Sequence, residues 1–209
     1  GFYYKPRIDK QLLREHAEGL IALSACQSGE VPRLILAGNY EAAKAAALEM
    51  RELFGAAGYS LELQDHALPR DPEINQGLLR IHQETGIPLV VTNDAHYLRR
   101  EDAQMQDTLM CIQMGKTVDD PNRLKMETQE LYVKSAEEMA ALFPDYPQAV
   151  ENTQKIADAC NLEFRFGVHH LPEFKLPEGY DDGDAYFQKL CEEGFARRYP
   201  CLLYTSDAA

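Results

Sequence analysis

The sequence lacks the features of membrane-spanning and disulfide-rich proteins. No apolar run approaches the ~20 residues that a membrane helix needs, and no basic-then-apolar leader opens the chain. An odd number of scattered cysteines, with no CxxC pair, favours free thiols in a reducing compartment. We therefore expect a cytoplasmic protein that has no membrane partner. The five cysteines are Cys26, Cys111, Cys160, Cys191 and Cys201.

Basic residues are also scarce. The chain has 21 Lys and Arg against 34 Asp and Glu, which gives a formal net charge of -13. Proteins bind duplex DNA largely by neutralising phosphates with Lys and Arg. We therefore expect this segment alone to bind DNA poorly, and the acidic excess is most typical of a solvated surface.

Strands and helices alternate in the first hundred residues. Short apolar runs predict strands at 20–24, 59–64 and 87–92, and helical periodicity predicts helices at 32–37, 40–54 and 74–85. This order predicts parallel strands with helices packed outside them. Three such strands cannot close a barrel, which usually needs about eight. We therefore expect the later part of a barrel whose earlier strands lie outside this chain.

The character of the sequence changes after the third strand. Helices are predicted at 102–114, 135–142 and 147–160, and again at 184–198, with a loop at 117–132 and an extended stretch at 171–180. The spacing of Ser135 and Glu138 predicts a capping box that opens the second of these helices. The final residues, 201–209, show neither helix nor strand periodicity. The chain is therefore interpreted as an α/β part at 1–100, a helical and loop extension at 101–200, and an atypical tail.

Each predicted strand is followed by side chains that bind metals or transfer protons. Cys26 follows the first strand, and the second carries Glu62 and His66 on the face opposite its leucines. Asp94 and His96 follow the third, and an extended chain places both on the same side. Because parallel strands end at one rim of a barrel, these groups are expected to converge there. Thiolate, imidazole and carboxylate together suit Zn²⁺, or Mn²⁺ where oxygen and nitrogen dominate.

Structural roles explain the same residues equally well. Cys26 could be a small buried apolar side chain, and the Asp-x-His pair could serve hydrogen bonding in a loop. Glu62 and His66 could be interior polar groups that neighbours satisfy. Cys111 and Cys160 fall on apolar helix faces and are expected in the core.

Five segments together resemble a known family. They are GFYYKPRID (1–9), GLIALSAC (19–26), LELQDH (61–66), TNDAHY (92–97) and GKTVDDP (115–121). They resemble the bacterial replicative DNA polymerase III α subunits, and more narrowly the later part of their PHP (polymerase and histidinol phosphatase) domain. The resemblance runs in order from residue 1 to about 200.

The resemblance implies a fold and a metal site. The fold would be part of a distorted PHP-type β/α barrel, followed by a mainly helical extension towards the polymerase palm and thumb. Cys26, Asp94 and His96 match metal-ligand positions of the family, and Glu62, His66 and Asn93 would be their neighbours. Zn or Mn would occupy this site. The Mg-binding polymerase aspartates, and the early His-x-His motif, have no counterpart in this chain, so no catalytic residue is assigned to it.

The resemblance leaves several functions open. The full protein would be a DNA-directed DNA polymerase acting on DNA and deoxynucleotides, whose PHP site hydrolyses phosphoesters, for example as a 3′-5′ exonuclease. Alternatively, the domain is a scaffold that docks the proofreading exonuclease subunit, among other replisome subunits. A weaker alternative is a free-standing PHP phosphatase. Because a strand edge is unpaired and the ligand set incomplete, the isolated chain is expected to be inactive and poorly soluble.

Overall fold

A computed structural model describes residues 4–169 and 172–200 of the 209-residue chain. The chain separates into two compact units, with the division after Asn161. The first unit holds the sheet and most of the helices. The atypical tail predicted at 201–209 lies outside the described residues, and the predicted domain boundary near residue 100 stays a prediction.

Three parallel strands form the sheet, as the alternation of elements predicted. They are β1 (Ala22–Leu23), β2 (Tyr59–Leu63) and β3 (Leu89–Val91), in the order β1-β2-β3. β1 and β3 are shorter than the apolar runs suggested, because β1 pairs only with the first two residues of β2 and β3 only with its last three. The fold class predicted from the sequence, α/β with parallel strands, outer helices and a mainly helical extension, is confirmed.

Helices connect and follow the strands. The register of helix α3 (Tyr40–Phe54) agrees with its apolar periodicity, since Ala43 and Ala47 are fully buried. Helix α4 (Asp71–Thr85) begins three residues earlier than predicted. The buried Asp71 carboxylate accepts hydrogen bonds from the amides of His66 and Leu68, and these bonds fix the chain where it enters the helix. The helices are α1 (Lys10–Glu15), α2 (Glu30–Leu36), α3 (Tyr40–Phe54), α4 (Asp71–Thr85), α5 (Ala103–Met114), α6 (Ala136–Leu142), α7 (Pro147–Ala159) and α8 (Gly183–Arg198).

The core of the first unit lies between the sheet and its helices. Leu61 on β2 and Leu78 on α4 are fully buried in it, and Phe143 and Ala149 join the same cluster from the α6–α7 region. Burial of such side chains contributes about 1.5–3 kcal/mol each to folding. The core therefore extends well beyond the three strands.

Helix α7 covers the outer edge of β3. The Asn152 side-chain amide donates a hydrogen bond to the Leu89 carbonyl oxygen at 2.8 Å. A side-chain donor thus satisfies a carbonyl group that a fourth strand would otherwise pair with. Within the described residues no further strand pairs with β3, so the helix covers part of an edge that lacks a strand partner.

Two further sequence predictions concern the helical part. The Ser135 capping box is confirmed, with reciprocal bonds between Ser135 and Glu138 opening α6. Cys111 is buried as expected, but Cys160 is exposed. Cys160 caps the end of α7 with extended backbone angles, so it has already left the apolar face of the helix. None of the helices within the described ranges is long and apolar enough to cross a membrane.

Candidate metal centre

The turns that follow the strands hold non-glycine residues in the left-handed region. Ala25 lies after β1, Ala67 after β2 and Asp94 after β3, with φ angles of 65°, 57° and 46°. Such conformations cost free energy and persist only where surrounding contacts fix them. The glutamate on β2 provides one such contact, since the Glu62 carboxylate accepts a hydrogen bond from the Ala25 amide at 2.8 Å. Specific contacts therefore fix the backbone at the C-terminal ends of the parallel strands.

The three predicted ligands border one cleft at this edge. Cys26, Asp94 and His96 line a cavity of about 330 Å³, and His66 lines it too. Cys26 and Asp94 are half-buried, whereas His96 is exposed and His66 is buried. The topology therefore brings together the residues that the sequence picked out on separate strands.

The described side chains do not complete a metal site by themselves. Within residues 4–169 and 172–200, no three His, Cys, Asp or Glu side chains converge closely enough to hold a metal ion. Their chemistry nevertheless fits Zn²⁺ or Mn²⁺, since thiolate, imidazole and carboxylate are the usual donors. The assignment of Cys26, Asp94 and His96 as ligands stays a prediction.

Backbone carbonyls orient both histidines of the cleft. The Nδ1 atom of His96 lies 2.6 Å from the Asp94 carbonyl oxygen, and the Nε2 atom of His66 lies 3.1 Å from that of Asn93. Because a carbonyl oxygen can only accept, each of these ring nitrogens carries the proton. In the neutral rings, Nε2 of His96 and Nδ1 of His66 then keep their lone pairs. Metal-binding histidines are commonly oriented in this way.

Glu62 is engaged in hydrogen bonds inside the sheet. One carboxylate oxygen accepts from the Gln64 side chain at 3.1 Å and from the Thr92 hydroxyl, and the other accepts from the Ala25 amide. Gln64 also donates to the Thr92 hydroxyl at 2.8 Å. Glu62 thereby supports the turn that carries Cys26.

Gln27 is a cleft residue that the sequence analysis missed. Its Oε1 atom is buried and has no hydrogen-bond partner within the part of the chain that the structure describes. It lines the cleft, and also a smaller pocket that Glu62, Gln64 and His66 share. Buried polar atoms normally have partners, so this oxygen suits a water molecule or a cation. No local pattern marks Gln27 in the sequence apart from its position beside Cys26.

Asn93 is fully occupied by protein contacts. Its side-chain amide donates to the carbonyl oxygens of Glu130 (2.9 Å) and Tyr132 (2.6 Å), and its Oδ1 atom accepts from the Lys134 ammonium at 3.2 Å. An amide oxygen engaged in this way is poorly placed to bind a metal. The role of Asn93 as a neighbour of the metal ligands stays a prediction.

The sequence is similar to known proteins along nearly its whole length. Residues 1–66, which include Cys26, Glu62 and His66, match the PHP domain model. The DNA polymerase III subunit alpha of Treponema pallidum is 45% identical over 199 residues, which is 95% of this chain and 17% of that protein. Those of Borreliella burgdorferi and Thermus aquaticus are 46% and 41% identical, over 97% and 96% of this chain and 18% and 17% of theirs.

The extent of the similarity argues against one of the alternative functions, the free-standing PHP phosphatase. The chain spans 17–18% of the length of these curated relatives. The similarity continues far beyond residue 66, over about 95% of the chain, so a free-standing PHP phosphatase is not supported. The chain is thus similar, along nearly its whole length, to one part of DNA polymerase III alpha subunits, and its first 66 residues match the PHP domain model.

Proposed function

We propose that this segment forms part of a metal-dependent phosphoesterase site in the PHP domain of a replicative DNA polymerase, with Cys26, Asp94 and His96 among the metal ligands. One observation carries the proposal: Cys26 follows β1, Asp94 and His96 follow β3 at least 68 positions further along the chain, and all three border one cleft. The PHP match over residues 1–66 supports the same interpretation.

The residues of the cleft have separable roles in this proposal. His96 and Cys26 offer soft nitrogen and sulfur donors, and Asp94 offers a hard oxygen donor. His66 lies behind them, and the bond from its Nε2 to Asn93 fixes its ring. Bound Zn²⁺ or Mn²⁺ would act as a Lewis acid towards a phosphoryl oxygen. A site of four ligands needs further donors from other segments of the intact subunit.

The similarity to DNA polymerase III alpha subunits supports a proposal for the activity of the whole protein. We propose that the intact protein is a DNA-directed DNA polymerase that uses DNA, deoxynucleotides and Mg²⁺ at a centre outside these 209 residues. The net charge of -13 agrees with this division, since other segments would have to supply the basic contacts to DNA. We further propose that it acts in the cytoplasm, with a proofreading exonuclease subunit and other replisome subunits as partners.

The test compares ligand variants of the intact subunit with a matched control. We expect Asp94→Ala and His96→Ala to lower the bound Zn and Mn, and to reduce hydrolysis of a 3′-labelled oligonucleotide by at least ~10-fold, because even loss of an outer partner of a metal site can cost that much. DNA synthesis should persist. His16→Ala, which removes an exposed histidine at the end of α1, should change neither measurement. Unchanged metal content and unchanged hydrolysis in both ligand variants would refute the proposal.

A scaffold role is the second candidate. The absence of a complete three-ligand group among the described residues favours it. In that case the same two variants should retain their wild-type hydrolysis, and a pull-down of the proofreading exonuclease subunit should persist in both. Loss of hydrolysis together with loss of metal would argue against a purely structural domain.

A further inference from the structure

Residues 128–134, called here the clamp segment, contact the ends of two strands at the cleft. The Thr128 hydroxyl donates to the His66 carbonyl oxygen at 2.7 Å, just beyond β2. The Leu131 carbonyl oxygen accepts from the amide of His96 at 2.8 Å, just beyond β3. Leu131 itself is buried, which anchors the segment in the first unit. A single stretch of chain thus touches the backbone of both histidines in the cleft.

The buried side chain of Lys134 links the clamp segment to Asn93. The Lys134 side chain is only 4% exposed, and its ammonium donates to the Glu130 carbonyl oxygen at 2.5 Å and to Asn93 Oδ1 at 3.2 Å. It also forms an ion pair with the Glu130 carboxylate at 3.3 Å and lies 4.5 Å from the centre of the Tyr132 ring. A desolvated ammonium needs such partners. Asn93 is therefore held from both ends of its side chain.

These contacts bracket the strained residue of the cleft. Asp94, with a φ angle of 46°, lies between Asn93, which three side-chain bonds fix, and His96, whose amide is bonded to Leu131. A non-glycine residue keeps such a conformation only where its surroundings over-determine it. The clamp segment supplies bonds on both sides of Asp94.

We propose that Asn93 and Lys134 are positioning residues, which lock the clamp segment against the end of β3 and so hold Asp94 and His96 in the orientation that binds metal. The proposal rests on the proposed function, since it assigns these two residues to the same site. Neither of them needs to touch the metal. Their effect is to fix the backbone that carries the ligands, and functional groups must be held within about 0.5 Å of the productive geometry.

The experiment uses the intact subunit with Zn²⁺ alone as the probe. Asn93→Leu removes three hydrogen bonds at nearly constant volume, and Lys134→Met removes the ammonium. The matched control is Asn152→Leu, which breaks another side-chain bond to β3, at the Leu89 carbonyl and away from the cleft. Zn²⁺ affinity is measured by competition with a chromophoric chelator, and hydrogen exchange is followed in the peptide that contains His96.

We expect Asn93→Leu and Lys134→Met to weaken Zn²⁺ binding by about 10- to 100-fold, the range found for outer partners of metal sites. Exchange at the His96 amide should accelerate in both. The control should keep wild-type Zn²⁺ affinity even if it destabilises the fold, which separates positioning from general stability. Unchanged Zn²⁺ affinity in both variants, with Asp94→Ala binding weakly, would overturn this proposal alone. Wild-type affinity in Asp94→Ala and His96→Ala as well would overturn the proposed function and, with it, the role of the clamp.

Discussion

Gly29 offers the most direct structural test of how the Cys26 turn is held. Gly29 precedes helix α2, and a Cβ atom placed on it would lie 2.3 Å from the Ser24 carbonyl oxygen and 3.1 Å from that of Cys26. Ordinary contacts to a Cβ atom begin at 3.4 Å. The obstructing atoms belong to the backbone, so no side chain can rotate away. Gly29→Ala must therefore displace the turn that carries Cys26.

The size of the effect follows from this distance. The contact to Ser24 is short by about 1 Å, and forcing an extra carbon into a packed region typically costs about 1–3 kcal/mol. A metal ligand displaced by about 1 Å would exceed the tolerance of about 0.5 Å for the position of a functional group in a preorganised site. We expect Gly29→Ala to lower the stability of the first unit and to weaken Zn²⁺ binding by the intact subunit by about 10-fold or more, since 1.4 kcal/mol corresponds to tenfold in affinity.

The assay pairs Zn²⁺ competition titration with thermal unfolding of the intact subunit. Gly183→Ala is the matched control, because Gly183 begins helix α8 and a Cβ atom there meets nothing within 4 Å. It should leave both measurements close to the wild type. If Gly29→Ala bound Zn²⁺ with wild-type affinity, the turn at Cys26 would not be part of the metal site as described.

Two further predictions concern the helices. Gly77→Ala should destabilise α4, because the added Cβ atom would lie 2.7 Å from Ile35 Cγ2 and overpacking costs about 1–3 kcal/mol. Gly194→Ala, in the open interior of α8, should stabilise that helix by up to ~1 kcal/mol. Hydrogen exchange of the helix amides measures both effects, and wild-type protection of α4 in Gly77→Ala would contradict the packing of α4 against Ile35. The pKa of Glu84 is lowered from its usual 4.5 to about 2, first by the hydrogen bond from the Lys44 ammonium. Since the folded state favours the carboxylate, Glu84 should contribute stability above pH 4.5 that is lost as the pH falls towards 2. NMR titration of the carboxyl group measures the shift directly, Glu84→Gln should remove this part of the pH dependence, and an unshifted pKa would show that the ion pair is not formed.

Elements with strong local signals were predictable from the sequence. Helix α3 occupies the predicted range, because apolar residues from Ala43 to Phe54 repeat on one face over about three turns. The capping box at Ser135 also lies within a few residues of chain and appears as predicted. The parallel order of the strands followed from their alternation with helices. Periodicity and capping depend on neighbours in the sequence, and a single chain displays them fully.

Features that depend on distant contacts were not predictable. Asn93 meets Glu130 and Lys134 across 37 and 41 residues of chain, and no pattern in the loop at 117–132 indicated this pairing. The bond from Asn152 to Leu89 spans 63 residues and gives one carbonyl group at the edge of β3 a side-chain partner. These contacts depend on tertiary packing, which single-sequence periodicity does not encode.

In the candidate site, too, some features were predictable from the sequence and others depended on distant contacts. Cys26, Asp94 and His96 could be chosen from the sequence, because each follows a predicted strand and parallel strands end at one edge. Their common cleft was therefore foreseen. The unpartnered Oε1 atom of Gln27 was not, since hydrogen-bond satisfaction depends on the surrounding fold and not on the residue type.

The central claim is that Cys26, Asp94 and His96 bind the same metal ion. Anomalous diffraction at the zinc edge, from crystals of the intact subunit grown with Zn²⁺, tests it most directly. We predict an anomalous peak in the cleft, about 2.3 Å from the Cys26 sulfur and about 2.0–2.2 Å from the His96 nitrogen and an Asp94 oxygen. A cleft without an anomalous peak, or a zinc ion held by other side chains while these three point away, would contradict the account.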